Sequence, residues 1–390
     1  MTPFTFRTAT EISFGSGTSS TIPGVASRFG RRALLVLGGS SLERAGHLER
    51  ILDGLTKAGV ATTRLSVAGE PDVRVVDDGA RVCRDAGCDV VLAIGGGSVI
   101  DAAKAIAGLA TNAGSALDYL EGQGAPPRAL EGAPLPVIAV PTTAGSGSEV
   151  TRNSVLRVPS AFVKRSMRDG ALIPRVAVVD PELSGSAPRA VAASAGLDAL
   201  THLIEAYVSR GAQPLTDLVA LQGIRAAVGA LDHLARGTSS PESQGEMALA
   251  SLWGGLALAN AGLGATHGLV APLGGRHPVP HGAGCGCLLA ATVRVNVRAL
   301  RDRAKGSLAL VRYASVANAV IPRAGATIEE AVDVLDALRR SLGILGLAAY
   351  GVRGDELAPI IEQSRSGSMR SNPIDLTDAE LDTILRMSLG

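Results

Sequence analysis

Aromatic side chains are scarce in this chain of 390 residues: five Phe, four Tyr and one Trp make up 3% of it. A core without them has to close-pack Ala, Val, Leu and Ile, and 48 glycines point to many tight turns. Cysteine is rare too. Cys285-x-Cys287 is not a zinc spacing, and Cys83 and Cys88 do not complete a site. Buried free thiols in a reducing cytoplasm are expected instead. Charge of one sign is missing: the net value is +1 and the one short basic run, 299–306, reads as a solvated helix face. That excludes a nucleic-acid partner. The first seventeen residues hold no apolar segment behind a positive flank, so no signal peptide is expected. The longest apolar stretch, 252–265, falls short of the ~18 residues of a membrane span and reads as a buried helix. A membrane partner is not expected.

What remains is a folded chain, 46% apolar and 19% charged, too long for one ordinary core. In the first half, short apolar runs alternate with helical stretches. Strands are expected at 32–39, 61–67, 89–98, 136–143 and 175–183, with helices at 47–59, 73–87 and 99–111. Apolar runs that are continuous rather than alternating imply a parallel sheet covered on both faces. After about residue 188 the segments 189–209, 215–235, 245–262 and 327–342 are all helical. A last helix at 376–385 has Thr377 as its cap and Glu380 three residues on. The expectation is an α/β domain at 1–188 and an all-α domain at 189–390.

Two loops of the first half suit a phosphate-bearing ligand. "AIGGGSVIDAAKAIA" puts Gly96, Gly97 and Ser98 between a strand and a helix, where free backbone N–H groups meet an anion. Asp101, in the first helical turn, is expected to orient the ribose or nicotinamide side. "PTTAGSGSEVT" adds Thr142, Thr143 and Ser146 at another strand's carboxyl end. Together the loops point to a dinucleotide. After the first strand, where NAD enzymes often place a carboxylate, the chain reads "VLGGSSLE". Gly39, Ser40 and Ser41 would not repel a 2′-phosphate, which leans towards NADP(H), while Glu43 keeps NAD(H) open.

Six histidines are present, and three fall within fifteen residues: His267, His277 and His281. Asp198 and His202, at i and i+4, share a helix face. With His267 and His281 they offer one carboxylate and three imidazoles, a set that suits Fe2+ or Zn2+ with a position left for a substrate oxygen. His47 and His233 lie in ordinary helical contexts.

Taken in order, GGGSVIDAAKAIA, PTTAGSGSEVT, GLDALTHLIEAY and the histidine stretch ending in PHG resemble the iron-containing (group III) alcohol dehydrogenases, from about Phe14 to the C-terminal helix. The resemblance implies a dehydroquinate synthase-like dinucleotide-binding domain followed by a helical metal-binding domain. It implies Asp198, His202, His267 and His281 as ligands of one ion. Around the cofactor it implies Gly96, Gly97, Ser98, Thr142 and Thr143, with Lys164 near the ribose and Leu183 near the adenine side. The activity implied is hydride transfer between NAD(P)(H) and a small alcohol, aldehyde or ketone, by a homodimer or larger assembly. One position departs: many members carry a further histidine four residues after the third ligand, where this chain has Ala271. His277 is the candidate to take over its proton, and Trp253, Asn260 and His277 are candidate pocket residues. A maleylacetate reductase-type enzyme, the dehydroquinate synthase branch, and a non-enzymatic metal- or nucleotide-binding protein are the alternatives.

Overall fold

The computed structural model describes residues 3–122, 126–161, 163–365 and 367–390. They divide into two compact units, Thr8–Pro188 and Arg189–Gly390, the second also taking the first residues up to Arg7.

The first unit is built on strands β1 (Glu11–Phe14), β2 (Arg32–Leu37), β3 (Ala61–Ser66), β4 (Val90–Gly95), β5 (Val137–Pro141), β6 (Asn153–Val158), β7 (Val163–Arg168) and β8 (Val176–Val179). Six of them form a wholly parallel sheet in the order β1-β8-β5-β4-β2-β3. Its helices are α1 (Ile22–Phe29), α2 (Ser41–Arg44), α3 (His47–Lys57), α4 (Val73–Asp85), α5 (Gly97–Ala110) and α6 (Pro181–Gly185). The alternating sides of β2 and β4 feed two cores. Leu34, Val36, Val91 and Ala93 face one cluster with α4 and α5, and Leu35, Leu37, Leu92 and Ile94 face the other with α1 and α3. Burial on both faces is why these strands carry unbroken apolar runs.

Strand β2 runs on to β3 on one side, whereas β4 lies on its other side, so the chain switches direction at the β2/β4 boundary. In open α/β sheets, ligands bind outside the carboxyl ends at such a point. Register brings the loops there together: Leu37 stands opposite Ile94 and Gly95 opposite Pro141.

Six of these elements were not anticipated: the short helices α1, α2 and α6, the last of which takes the end of the strand expected at 175–183, and three strands. β1 is four residues long and half-buried, too short and polar to stand out. The antiparallel β6–β7 pair carries Arg157, Lys164, Arg165 and Arg168 among its apolar residues, as a sheet with one solvated face does.

The second unit holds α7 (Arg189–Val208), α8 (Pro214–Arg236), α9 (Pro241–Ala261), α10 (Ala265–Arg276), α11 (His281–Arg303), α12 (Leu308–Val320), α13 (Ile328–Ser341), α14 (Ala358–Gln363) and α15 (Asp378–Met387). Capping boxes start α13 (Thr327 with Glu330) and α15 (Thr377 with Glu380), each worth about 1 kcal/mol. The apolar stretch 252–265 is not one helix. It ends α9 at Gly262, whose φ of 75° takes the left-handed region, and restarts at α10. By length and composition alone α8 and α11 are apolar enough to cross a membrane, although the 252–265 stretch had looked too short. The apolar window of α11 is 83% buried inside the unit. Asn260 is occupied otherwise than as a pocket residue: its amide bonds both the N–H and the carbonyl of Arg7, at 2.6 and 2.9 Å.

Candidate metal centre and nucleotide loops

Asp198 is the hub of the helical unit's polar cluster. One oxygen, Oδ1, lies 3.6 Å from His202 Nε2, 3.3 Å from His267 Nε2 and 3.6 Å from His281 Nε2. The four residues predicted as ligands thus meet at one atom. Asp198 and His202 share a face of α7, His267 sits in the first turn of α10, and His281 opens α11. Glycines let these helices approach. A Cβ on Gly282 would stand 2.0 Å from the Ser194 carbonyl, and one on Gly286 would stand 2.7 Å from Leu197. Any larger residue at Gly282 would push the start of α11, and His281 with it, off α7.

These separations are too long for good hydrogen bonds and suit another geometry. Donors at about 2.1 Å from one ion, arranged tetrahedrally, stand about 3.4 Å apart. The tautomer of His267 points the same way. Glu205 Oε2 lies 2.7 Å from His267 Nδ1, and its carboxylate also accepts the Thr266 N–H at 2.7 Å, capping α10 from outside. An acceptor at Nδ1 fixes the proton there and turns the Nε2 lone pair towards Asp198. A lone pair facing a carboxylate oxygen is repulsive unless a cation lies between them. The protonation preferences agree. Burial alone would favour a neutral His267, but Cys285, Asp198 and Glu205 raise its pKa well above the usual histidine value. A proton there does what a metal ion would. Burial raises and the surrounding imidazoles more than offset it at Asp198, whose carboxyl stays well below the usual range. Burial pushes His202 down to about 4, against the pull of Asp198. The donor set therefore fits a divalent ion.

Two participants were missed from sequence. Glu205 lies three residues after His202 and seven after Asp198, on the same face of α7, a signal that was there to be read. Cys285, taken from its spacing as an inert thiol, instead joins Asp198, His267 and His281 in a quartet whose donor atoms all lie within 4.8 Å of one another. His202 is outside that quartet. It attaches through Asp198 and by stacking on the His267 ring, centroids 4.5 Å apart. His277 ends α10 half-buried, with Nε2 3.9 Å from Glu356. His233 is exposed and His47 half-buried at the start of α3.

In the sheet unit the loops after β4 and β5 lie side by side. A Cβ on Gly96 would stand 3.2 Å from Thr143 Oγ1, and one on Gly97 would stand 2.5 Å from Ser146 Oγ. A side chain at Gly97 would force Ser146 to shift, whereas at Gly96 the contact is only tight. Gly96 caps α5 with no side-chain hydrogen bond, so the first N–H groups of α5 are left for an anion. Beneath the loops Lys104, fully buried, donates to Ser148 Oγ at 2.6 Å, to the Ser148 carbonyl at 3.0 Å and to Thr151 Oγ1 at 3.1 Å. Asp101 does not turn outward: its oxygens take Lys104 at 3.0 Å, the Val155 N–H at 2.9 Å and the Ser148 hydroxyl. It fixes the second loop to α5. Lys164 pairs with Glu70 at 2.6 Å, and the Leu183 side chain is fully buried in the core. At the end of β2, Gly39 and Ser40 are exposed, and the Arg44 guanidinium donates to Ser40 Oγ. The Ser41 side chain lies outside the described residues.

Comparison with known proteins agrees over the whole chain. Residues 9–181 match the family model for iron-containing alcohol dehydrogenase, and residues 192–389 match that for the C-terminal part of the same family. The chain is 32% identical over 356 residues to lactaldehyde reductase of Escherichia coli K12, covering 90% of each. Its fold superposes with a TM-score of 0.91 on an archaeal halo-thermophilic alcohol dehydrogenase from a Red Sea brine pool, at 28% identity over 100% of this chain and 99% of that one. It does so with a TM-score of 0.85 on sulfoacetaldehyde reductase of Bifidobacterium kashiwanohense in complex with NAD+, at 29% identity and the same coverage.

Proposed function

Because the chain belongs to the iron-containing alcohol dehydrogenase family, we propose that it is a metal-dependent, NADP(H)-linked oxidoreductase interconverting a small alcohol with its aldehyde or ketone. The observation that carries this is three imidazole nitrogens within 3.3–3.6 Å of one carboxylate oxygen. Asp198, His202, His267 and His281 are the residues to hold an Fe2+ or Zn2+ ion, which when bound supplies a Lewis acid for a carbonyl or alkoxide oxygen. Glu205 holds the His267 proton at Nδ1 and so keeps its Nε2 available.

Residues 1–188 are assigned the dinucleotide. The start of α5 at Gly96, Gly97 and Ser98 takes the pyrophosphate, with Thr142, Thr143 and Ser146 beside it. Asp101 and Lys104 hold that second loop in place, and Lys164 and Leu183 complete the assignment. The preference for NADP(H) rests on the loop after β2: it has no carboxylate at Gly39, and Ser40 stands with Arg44, the residue type that accommodates a 2′-phosphate. Nothing lies within 4 Å of a Cβ built at Gly39, so Gly39→Asp fits without strain. It should move the kcat/KM preference from NADPH towards NADH by roughly tenfold, or about 1.4 kcal/mol. An unchanged ratio would remove the loop from the argument.

Ala271 cannot carry a proton, and His277 is assigned that role. His277→Ala should slow turnover and change the pH profile of kcat while leaving metal content intact. The reaction itself is tested by following NADPH at 340 nm with a panel of aldehydes and with maleylacetate, before and after chelation and re-addition of Fe2+ or Zn2+. Turnover that survives verified metal removal would sink the proposal. Turnover with maleylacetate alone would move the chain to the reductase alternative. We further infer a cytoplasmic homodimer or larger assembly, which sedimentation of the purified protein tests.

A further inference from the structure

We propose that Cys285 is itself a ligand of the bound ion, so that the centre carries a thiolate beside its carboxylate and imidazoles. The inference rests on the reading of this cluster as a metal centre. Three observations converge on the sulfur. It is fully buried at the edge of the helical unit's apolar core, where its sulfur borders the polar cluster. Its Sγ lies 3.6 Å from His267 Nε2. That matches the separation of about 3.6 Å expected between a nitrogen at about 2.1 Å and a sulfur at about 2.3 Å on one tetrahedral ion. And its donor atom lies within 4.8 Å of those of Asp198, His267 and His281 together, which the Nε2 of His202 does not match.

Local sequence explains the placement. Cys285 follows His281 by four residues, so both project from the same face of α11. Gly282 and Gly286 let that face lie against α7. The neighbouring thiol is placed elsewhere: Cys287 donates to the Leu345 carbonyl at 2.9 Å.

Coordination breaks the S–H bond and forms a metal–sulfur bond, and the thiol proton is released to solvent. No electron is transferred. One carboxylate and one thiolate neutralise a divalent charge, which favours ions that accept sulfur, such as Zn2+, Fe2+ and Co2+, over Mg2+ or Mn2+. His202, at 3.6 Å from the shared Asp198 oxygen, then acts as a fifth donor.

The test loads the metal-stripped full-length protein with Co2+ and reads its absorption spectrum. Wild type should show d–d bands together with a near-ultraviolet sulfur-to-cobalt charge-transfer band. Cys285→Ser should keep d–d bands, lose the charge-transfer band and bind Co2+ on the order of 10–100-fold more weakly. Cys287→Ser should keep both, and circular dichroism of the stripped variants checks that each is folded. If Cys285→Ser does not fold, X-ray absorption on Zn2+-loaded wild type decides by the presence of a sulfur at about 2.3 Å. Filled d–d bands without charge transfer in wild type, or a charge-transfer band that survives Cys285→Ser, would overturn the assignment while leaving the metal centre standing. No Co2+ binding at all would overturn both.

Discussion

Each unit of this protein buries a charged cluster, and the two are built differently. Around Lys104 the contacts are close hydrogen bonds and an ion pair: four donations of 2.5–3.1 Å to Ser148, Thr151 and the Asn153 carbonyl and a 3.0 Å pair with Asp101. A cation is buried there, and protein oxygens surround it. Around Asp198 three imidazole nitrogens stand 3.3–3.6 Å from one oxygen, and the buried Nδ1 of His202 has no hydrogen-bond partner. The first arrangement carries its own cation and serves as structure. The second is complete only with a charge brought from outside, and this separates a scaffold from a binding centre even though both are buried and charged.

Substitution should separate the two clusters by kind of effect. Asp198→Ala removes the atom that all three imidazoles share. We expect loss of metal by elemental analysis and at least a ~1000-fold fall in kcat, with the stripped protein still folded. Lys104→Met should do the reverse. Deleting one partner of a buried pair costs about 3–5 kcal/mol, so the urea midpoint should drop while metal content per folded chain stays at the wild-type level. If Lys104→Met also emptied the metal centre, the clusters would not be independent and the comparison would fail.

A smaller effect probes the support of the second cluster. Glu205→Gln keeps the shape of the side chain but removes the charge that holds the His267 proton at Nδ1. Metal affinity, measured by competition with a chelator, should weaken by about 10–100-fold. A change below twofold would mean that Glu205 serves only as a cap for α10.

How much of this could be read beforehand follows from the range of each signal. Strands β2, β4 and β5 are continuous apolar runs because both faces are covered, so composition alone reveals them. Asp198 and His202 are visible as an i, i+4 pair, and His267 and His281 by the scarcity of histidine. β1 gave no such signal, since its four residues become a strand only by pairing with β8. Cys285 is the sharper case. Spacing rules compare a cysteine with its neighbours in sequence, whereas its partners here lie on α7 and α10, and only the packing of α11 on α7 brings them within reach. The inward turn of Asp101 was hidden for the same reason, since two of the groups it bonds, Ser148 and Val155, lie some fifty residues further along the chain.

The last effect shows only as a dependence on pH, and it concerns an unsatisfied residue near Lys104. Glu149 is almost fully buried and its Oε2 has no hydrogen-bond partner. Burial raises its pKa from 4.5 to about 7, with a backbone N–H and then the Lys104 charge pulling the other way. A carboxyl whose folded pKa lies above its unfolded one holds its proton more tightly in the native state. Its contribution is therefore fully present below about pH 4.5 and is lost as pH rises through about 7. At about 1.4 kcal/mol per unit, the loss is about 3 kcal/mol. Glu149→Gln does not titrate and should not suffer it. Urea midpoints of the two proteins should stay a fixed distance apart below pH 4.5 and shift in favour of the variant between pH 5 and 8. Parallel curves across that range would place the Glu149 carboxylate in contact with a charge or a donor, and the Lys104 cluster would then be as self-sufficient at its edge as at its centre.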